Sequence, residues 1–138
     1  MRLLGGEFSV SLKLRASVSR SEDPEKVLKA MRNLVGEGDF QVTNETGTIT
    51  VSSNSRRSLE KIRHQLRDRR VRSAARRLLL TKSEGGSVSI MLNRQAASVG
   101  IVALCNREDE SPLGPIYMRL ESDHLGKLMD WLTAYEVW

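Results

Sequence analysis

The most restrictive feature of the 138-residue sequence is an unbroken alternation of apolar and polar side chains over residues 8–18. The apolar positions are Phe8, Val10, Leu12, Leu14, Ala16 and Val18. Because successive side chains of a β-strand point to opposite faces, this period of two predicts a strand with one buried face and one face in water. A sheet made of such strands needs other elements against its apolar face, which restricts the chain to a layered fold.

A helix is predicted directly after this strand, over residues 24–35. Asp23 is a suitable N-cap, and Pro24 suits the first helical position, where an N–H would have no partner within the helix. Apolar residues then recur at helical spacing at Val27, Leu28, Met31, Leu34 and Val35. Gly36 and Gly38 predict the end of this helix, since glycine readily adopts the conformation that terminates helices.

Residues 55–79 predict two consecutive helices rather than one. Ser55 or Ser58 can cap the first helix. Its apolar residues are Leu59, Ile62 and Leu66, and the second apolar set is Val71, Ala74, Ala75, Leu78 and Leu79. At about 100° per residue, the second set is rotated by more than a right angle from the first, so one straight helix cannot bury both against one core. We therefore expect a break near residues 68–70.

The remaining strands are predicted at residues 40–43, 48–51, 88–92, 99–105 and 116–120. The first two flank a turn at residues 44–47 and form a hairpin. Residues 99–105 are a continuous apolar run and predict a central strand, and residues 125–132 predict a closing helix with Asp123 as its cap. The order β-α-β-β-α-α-β-β-β-α predicts one α+β domain over residues 1–138. Its sheet is expected to be mostly antiparallel or mixed, with helices packed on one face.

Charge is distributed unevenly along the chain. The formal net charge is +5, but the ten basic and two acidic residues of segment 56–77 give that segment +8, so the rest of the chain carries −3. Nine of the ten basic residues are arginine, whose planar fork of donors matches the oxygens of phosphate. Like charges at helical spacing destabilise a helix by roughly a few tenths of a kcal/mol per pair, which a polyanion would offset.

The predicted phosphate-contacting residues of this segment are Arg57, Lys61, Arg69, Arg72, Arg76 and Arg77. On the second helix Arg69, Arg72 and Arg76 are expected to form a stripe opposite the apolar face. The competing interpretation is an arginine face that is only solvated, or that is paired with acidic residues elsewhere in the chain. A basic helix alone does not decide between these interpretations.

Residues 93–97, Asn-Arg-Gln-Ala-Ala, form a second candidate site. Arg94 and Gln95 belong to the side-chain types that make paired hydrogen bonds to base edges, so they are candidate RNA contacts. The favoured alternative is structural, with Asn93 capping a short turn and the two alanines closely packed. The proline-bearing loop at residues 111–115 either presents a surface or only connects two strands.

Aromatic residues limit the kind of RNA contact to expect. The chain has six of them, and no aromatic pair falls on the polar face of a predicted strand. Proteins that bind single strands usually stack bases on exposed rings. Contact with the backbone and shape of structured RNA is therefore the more plausible mode.

No catalytic or metal-binding pattern is found in the sequence. Cys105 ends an apolar run, where a cysteine is usually a small core residue rather than a nucleophile activated by His64 or His124. Two histidines and one cysteine far apart do not match a metal-ligand spacing. The single cysteine also excludes an internal disulfide, and no signal peptide or membrane span is predicted. We therefore expect a cytoplasmic protein without a cofactor.

Four stretches are more specific: EDPEKVLKAMRNL, SLEKIRHQLRDRRVRSAARRLLL, LNRQAASVG and ESPLGPI, in this order between about residues 21 and 131. They resemble the archaeal uncharacterised protein family 0201, also labelled an RNA-binding domain. The characteristic positions of that family are here Asn93, Gln95, Ala96, Ala97, Ser111, Pro112, Gly114 and Pro115. The resemblance implies a fold like that of ribosomal protein L-five, an archaeal cytoplasmic setting and RNA as a partner. It also implies a link to an RNA-processing complex, and it carries over no catalytic residue.

Together these observations predict a non-catalytic protein that binds structured RNA through its basic two-helix segment. The alternative is a protein-interaction or homodimerisation module, in which the arginine-rich face meets an acidic surface such as residues 108–110 of a second copy. An enzyme such as a nuclease is disfavoured, because the sequence lacks the clustered carboxylates that metal-assisted hydrolysis needs.

Overall fold

An antiparallel sheet forms one layer of the computed structural model, which describes residues 8–35, 40–68 and 70–133. Within these residues its strands are β1 (Ser11–Ser17), β2 (Gln41–Glu45), β3 (Thr48–Ser53), β4 (Ser83–Glu84), β5 (Ser87–Leu92), β6 (Leu104–Cys105) and β7 (Ile116–Glu121). The strand order is β2-β3-β1-β7-β5-β4, and β6 pairs with β5 beside this path. All of these pairings are antiparallel, as the abundance of hairpins predicts.

The second layer is helical. Its α-helices are α1 (Pro24–Arg32), α2 (Glu60–Leu66), α3 (Arg72–Lys82), α4 (Arg94–Ser98) and α5 (Leu125–Leu132). Short 3₁₀ helices at Arg56–Leu59 and Glu108–Glu110 precede α2 and β7. The α+β class with helices on one face of the sheet is thus confirmed, although α4 and the two-residue strand β4 are absent from the predicted order.

The core lies between these two layers, and the alternation in β1 decides which face of the sheet is covered. Leu12, Leu14 and Ala16 are buried, whereas Lys13 and Arg15 between them are exposed. The inward side chains of β3, β5 and β7 join the same apolar cluster as the buried side chains of the helices. One face of the sheet therefore packs against helices, and the other faces solvent.

The local signals at the start of α1 and in the first hairpin are confirmed. The Asp23 carboxylate accepts a hydrogen bond from the Glu25 N–H at 3.0 Å, and Pro24 is the first helical residue. Thr46 and Gly47 both have positive φ, at 49° and 77°, between the paired ends of β2 and β3. Such two-residue turns match the twist of the flanking strands and favour glycine.

The predicted break between the two basic helices is also confirmed, since α2 ends at Leu66 and α3 begins at Arg72. The apolar set predicted for the second helix is only partly correct, however. Ala75 and Leu79 are buried, while Val71 is 44% exposed and Ala74 is exposed. Packing of α3 beside β5 selects this face, and the sequence pattern alone cannot report it.

The apolar run at residues 99–105 does not form the predicted central strand. Only Leu104–Cys105 pairs with β5, and Val99 and Ile101 are 72% and 51% exposed. Gln65 of α2 instead binds the backbone here, because its amide donates to the Gly100 carbonyl at 2.8 Å and accepts from the Val102 N–H at 2.7 Å. An apolar run by itself does not distinguish a strand from other buried or looped segments.

The predicted cap of the closing helix is wrong as well. The Asp123 carboxylate accepts hydrogen bonds from the N–H and hydroxyl of Ser9, at 2.7 and 3.0 Å, and α5 begins at Leu125 without a side-chain cap. These bonds tie the residues before β1 to the segment before α5 and hold the pKa of Asp123 below its ordinary value. The predicted helix-ending Gly36 and Gly38 lie outside the described residues.

Candidate nucleic-acid interface

The 3₁₀ helix at Arg56–Leu59, α2 and α3 carry a group of cationic side chains that are exposed or partly exposed. We call this group, together with the connection between α2 and α3, the helical basic surface. It comprises Arg57, Lys61, Arg67, Arg70, Arg72 and Arg77. Arg57, Arg67, Arg70 and Arg77 are exposed, and the other two are half-buried. Apart from Arg70, none of them forms an ion pair with another described residue.

The exception, Arg70, belongs to the connection between α2 and α3. Its guanidinium lies 3.3 Å from the Asp68 carboxylate, and its N–H donates to the same carboxylate at 2.8 Å. These hydrogen bonds lower the pKa of Asp68, and the side-chain bond raises the pKa of Arg70. The pair is exposed and only two residues apart, so it organises the break between the helices rather than removing charge from the rest of the surface.

Other arginines of the same segment make tertiary contacts. The Arg76 guanidinium forms an ion pair with Asp130 of α5 at 2.7 Å. Arg63 donates to the Trp131 carbonyl at 2.7 Å and lies 4.8 Å from the centre of the Trp131 ring. Arg56 lies 4.3 Å from the centre of the Phe8 ring. The segment charge of +8 therefore overstates the charge available to a ligand.

The structure corrects the predicted arrangement of the arginine stripe on α3. Arg72 and Arg76 lie on the same side as the buried Ala75 and Leu79, and both are half-buried. Arg77 is exposed, and with Arg72 and Arg76 it lines a shallow groove along α3. Ser73, Leu80 and Thr81 complete this groove. Arg69, the third predicted member, lies outside the described residues.

Arg94, predicted as a base contact, is a buried ion-pair partner instead. The residue is only 5% exposed, and its guanidinium lies 2.7 Å from the Glu22 carboxylate. It also donates to the Pro115 carbonyl at 3.5 Å, and its backbone N–H donates to the Ser111 hydroxyl at 2.9 Å. This arginine links α4 to two loops, one at Glu22 and one at residues 111–115, and does not point towards a ligand surface.

Gln95 is more exposed than Arg94, but its side chain is likewise hydrogen-bonded within the protein. Its side chain is exposed, yet the amide nitrogen donates to the Pro112 carbonyl at 3.0 Å. The amide oxygen accepts from the Ser111 hydroxyl at 3.2 Å. Both hydrogen-bonding edges that would bind a base are thus directed at the 111–115 loop.

Two of the four stretches that carry the family resemblance, LNRQAASVG and ESPLGPI, therefore interlock. Asn93 caps α4 by accepting from the Ala96 N–H at 2.8 Å, and it donates to the Glu110 carbonyl at 3.2 Å. Gly114 has a φ of +94°, a conformation that favours glycine, close to the Arg94 guanidinium. We call this cluster the motif junction. It comprises Asn93, Arg94, Gln95, Ser111 and Gly114, together with Glu22.

Glu22 is the acidic member of the motif junction. Its burial would raise the pKa of the carboxyl, but hydrogen bonds from Ser19 and Arg94 and the charge of Arg94 outweigh burial and lower that pKa. The carboxylate side chain is 10% exposed and the Arg94 side chain 6%. The pair is thus a buried, charged connection within the motif junction.

The acidic run at Glu108–Glu110 is engaged within its own neighbourhood. The Tyr117 hydroxyl donates to the Glu108 carboxylate, and Arg107 forms an exposed ion pair with Asp109 at 3.1 Å. The Glu110 carboxylate accepts from the backbone N–H groups of Arg107 and Asn106, which lower its pKa. These contacts reduce the acidic surface that a second copy would offer to the arginines.

A further cationic region lies on the solvent-facing side of the sheet. We call it the open sheet face. Its central residues are Lys13, Arg15, Tyr117, Arg119 and Ser89. Sequence reasoning overlooked it, although Lys13 and Arg15 occupy the polar positions of the strongest alternation. The missing information was that β1 pairs with β7, which places residues about a hundred positions apart side by side.

Cys105 is placed poorly for catalysis or metal binding. The residue is 3% exposed, and burial, with a smaller effect of the Glu110 charge, raises the pKa of its thiol. A protonated, buried thiol is a poor nucleophile. Over the described residues, no three histidine, cysteine or carboxylate side chains cluster as metal ligands would. Nor does any helix in that part of the chain have the length and apolarity needed to cross a membrane.

Comparison with known proteins identifies the family. A family model described as RNA binding matches residues 11–122. A UPF0201 protein of Sulfurisphaera tokodaii is 39% identical over 125 residues, which cover 87% of this chain and 84% of that protein. The chain belongs to the UPF0201 family. A second member, from Sulfolobus acidocaldarius, is 36% identical with the same coverage of both chains.

Solved structures of UPF0201 proteins share the fold. One crystal structure has a TM-score of 0.67 at 29% identity and covers 80% of this chain and 81% of its own. The UPF0201 protein from Methanococcus jannaschii has a TM-score of 0.72 at 23% identity, with coverage of 92% and 95%. The family resemblance that the sequence motifs predict is therefore confirmed.

Proposed function

We propose that this UPF0201 protein is a non-catalytic RNA-binding protein that contacts the phosphate backbone of structured RNA through the helical basic surface. The supporting observation is that Arg57 and Arg77 are exposed and Lys61 and Arg72 partly exposed, all without an ion-pair partner among the described residues. The family model described as RNA binding, which covers residues 11–122, is consistent with this proposal.

The chemistry of these side chains favours phosphate over base recognition. Guanidinium groups bind phosphate oxygens with paired hydrogen bonds, and each neutralised phosphate releases counterions into solution. The best candidates for base readout in the sequence, Arg94 and Gln95, are engaged in the motif junction. Binding should therefore depend strongly on salt and weakly on RNA sequence.

The competing function, a protein-interaction or homodimerisation module, has less support. It needs an acidic surface for the arginines, and the carboxylates of Glu108–Glu110 already contact Tyr117, Arg107 and nearby backbone. A second copy would have to replace these contacts before it could pair with the helical basic surface.

The test is fluorescence anisotropy with a pool of structured RNA hairpins, at salt concentrations from low to above physiological. The test variant is the triple substitution Arg57→Gln, Lys61→Gln and Arg77→Gln. The matched control is Arg20→Gln, Lys26→Gln and Lys29→Gln, which removes the same charge from exposed positions at and before α1. We expect the test variant to lose affinity and to reduce the salt slope by about 1 for each lost phosphate contact.

The control variant should bind nearly as tightly as the wild type. Equal weakening by both triple variants would mean that overall charge, not this surface, attracts RNA. Unchanged binding by the test variant would reject the helical basic surface as the RNA site.

A further inference from the structure

The open sheet face brings like charges together on a shallow surface, an arrangement that folding alone does not require. Strand register places Lys13 of β1 directly opposite Arg119 of β7. Like charges directly opposite one another destabilise a sheet. The next residues on the two sides are Ser52 of β3 and Ser89 of β5, whose small polar side chains leave the surface shallow.

One row along the strands, Arg15 faces Tyr117. The Arg15 guanidinium lies over the Tyr117 ring, 5.0 Å from its centre. The Tyr117 hydroxyl donates to the Glu108 carboxylate, and this hydrogen bond restrains the ring. This cation–π contact keeps the exposed Arg15 guanidinium close to the ring on the solvent-facing side of the sheet.

The charge of this face is only partly compensated. Arg119 pairs with Glu121 at 2.9 Å, in a contact where both side chains are about half exposed. Lys13 and Arg15 have no carboxylate partner among the described residues. Exposed ion pairs of the Arg119 type contribute little to stability, so this arginine can turn to another anion at low cost.

We propose that the open sheet face binds an unpaired RNA segment, with one base stacked on the Arg15 guanidinium and the adjoining phosphates bound by Lys13 and Arg119. The proposal rests on the proposed RNA-binding function and adds a second surface with a different ligand class. Unpaired nucleotides can splay their bases onto guanidinium planes, whereas bases within a helix are stacked on one another.

An acidic protein segment fits the same face less well. A carboxylate uses only the donor edge of a guanidinium group, whereas a nucleotide can use both its plane, through the base, and its donors, through the phosphate. Stacking of a base also tolerates any sequence, because every base has a π-face. The face therefore matches a nucleotide with both a ring and a phosphate.

The experiment compares an RNA hairpin that has a single-stranded tail of about eight nucleotides with the same hairpin lacking the tail. For the wild type we expect the tail to tighten binding about fivefold or more, the gain typical of stacking one base. Arg15→Lys keeps the charge and removes the flat platform, so it should lose most of this gain and bind the tailless hairpin as the wild type does. Tyr117→Leu removes the support under the guanidinium and should act in the same way.

The outcomes separate the two proposals. If the helical triple variant weakens both RNAs but the tail gives no gain in the wild type, or the gain survives Arg15→Lys, the open sheet face is not an RNA site and the proposed function stands. If the helical triple variant binds both RNAs normally while Arg15→Lys removes the gain, the open sheet face is an RNA site and the helical basic surface is not. Absence of binding to either RNA would reject both. Displacement of the tail by a poly-glutamate peptide as efficiently as by an RNA 8-mer would assign the face to an acidic protein partner.

Discussion

The guanidinium groups of Arg94 and Arg77 differ in almost every contact, although the sequence predicts RNA contacts for both. Arg94 lies in the motif junction at 5% exposure, with Glu22 at 2.7 Å. Arg77 lies on the helical basic surface, exposed and without an ion pair among the described residues. In the motif junction, polar side chains hold distant loops together, whereas on the helical basic surface they remain available to a ligand. The most distinctive motifs of a family can thus be structural, while its less distinctive charged positions stay open to solvent.

The largest effect expected from this contrast is on stability. Arg94→Ala removes the partner of a largely buried carboxylate, and breaking a buried ion pair in this way typically costs about 3–5 kcal/mol in the free energy of unfolding. Arg107→Ala is the matched control, because its ion pair with Asp109 is exposed and should contribute roughly a few tenths of a kcal/mol. Urea unfolding measures both. If Arg94→Ala left the protein stable but lowered its RNA affinity, Arg94 would be a ligand contact rather than a structural residue.

The acidic side of the same pair gives a smaller, pH-dependent effect. Glu22→Gln should cost about 1–3 kcal/mol near neutral pH, since the charged Arg94 guanidinium then donates to a neutral amide oxygen and loses its counter-charge. The pKa of Glu22 is lower in the folded chain than its ordinary value of 4.5. Its contribution is therefore complete above that pH and is lost as the pH falls through the lower, folded-state pKa.

The measurement for Glu22 is the difference in unfolding free energy between the wild type and Glu22→Gln as a function of pH. Asp68, Glu110 and Asp123 also have lowered pKa values, but they are shared by both proteins and cancel in the difference. The difference should shrink on acidification below pH 4.5. A difference that stays constant from neutral pH to about pH 3, well into the range where carboxylates take up protons, would show that Glu22 is not stabilised as a carboxylate.

A medium effect is expected from the cap of α4. Asn93→Ala removes the acceptor for the Ala96 N–H and the donor to the Glu110 carbonyl, so it should lower the free energy of unfolding by about 1 kcal/mol. Asn54→Ala, at an exposed asparagine, is the control and should have little effect. Thermal unfolding compares the two variants, and equal melting temperatures would mean that the cap contributes nothing to the motif junction.

The smallest effects distinguish neighbours on α3. Arg76→Ala loses the ion pair with Asp130 and should destabilise the protein by about 1 kcal/mol, because the pair is partly buried. Arg77→Ala removes an exposed charge and should change stability by less than about 0.5 kcal/mol, while weakening RNA binding. Urea unfolding and RNA anisotropy on both variants check this. If instead Arg76→Ala weakened RNA binding and Arg77→Ala lowered stability, Arg76 rather than Arg77 would belong to the helical basic surface.

Local patterns predicted much of the fold and little of the candidate site. The alternation in β1, the Asp23 cap and the break between α2 and α3 follow from the periodicity of neighbouring residues, and the structure confirms them. The failures share a different cause. The run at residues 99–105 is held by Gln65 of a distant helix, and Asp123 is held by Ser9, 114 residues away. No local period reports such partners.

The class of the fold, the family and the segment where positive charge is concentrated all follow from the linear sequence, because each depends on composition, spacing or motif along the chain. Which of the charges are available to a ligand follows only from the folded arrangement. Folding paired Arg94 with Glu22 across 72 residues, turned Arg76 towards α5, and placed Lys13 beside Arg119 on the open sheet face. Exposure and ion pairing depend on which elements pack together, and this packing is driven by the burial of apolar faces rather than by the charges themselves.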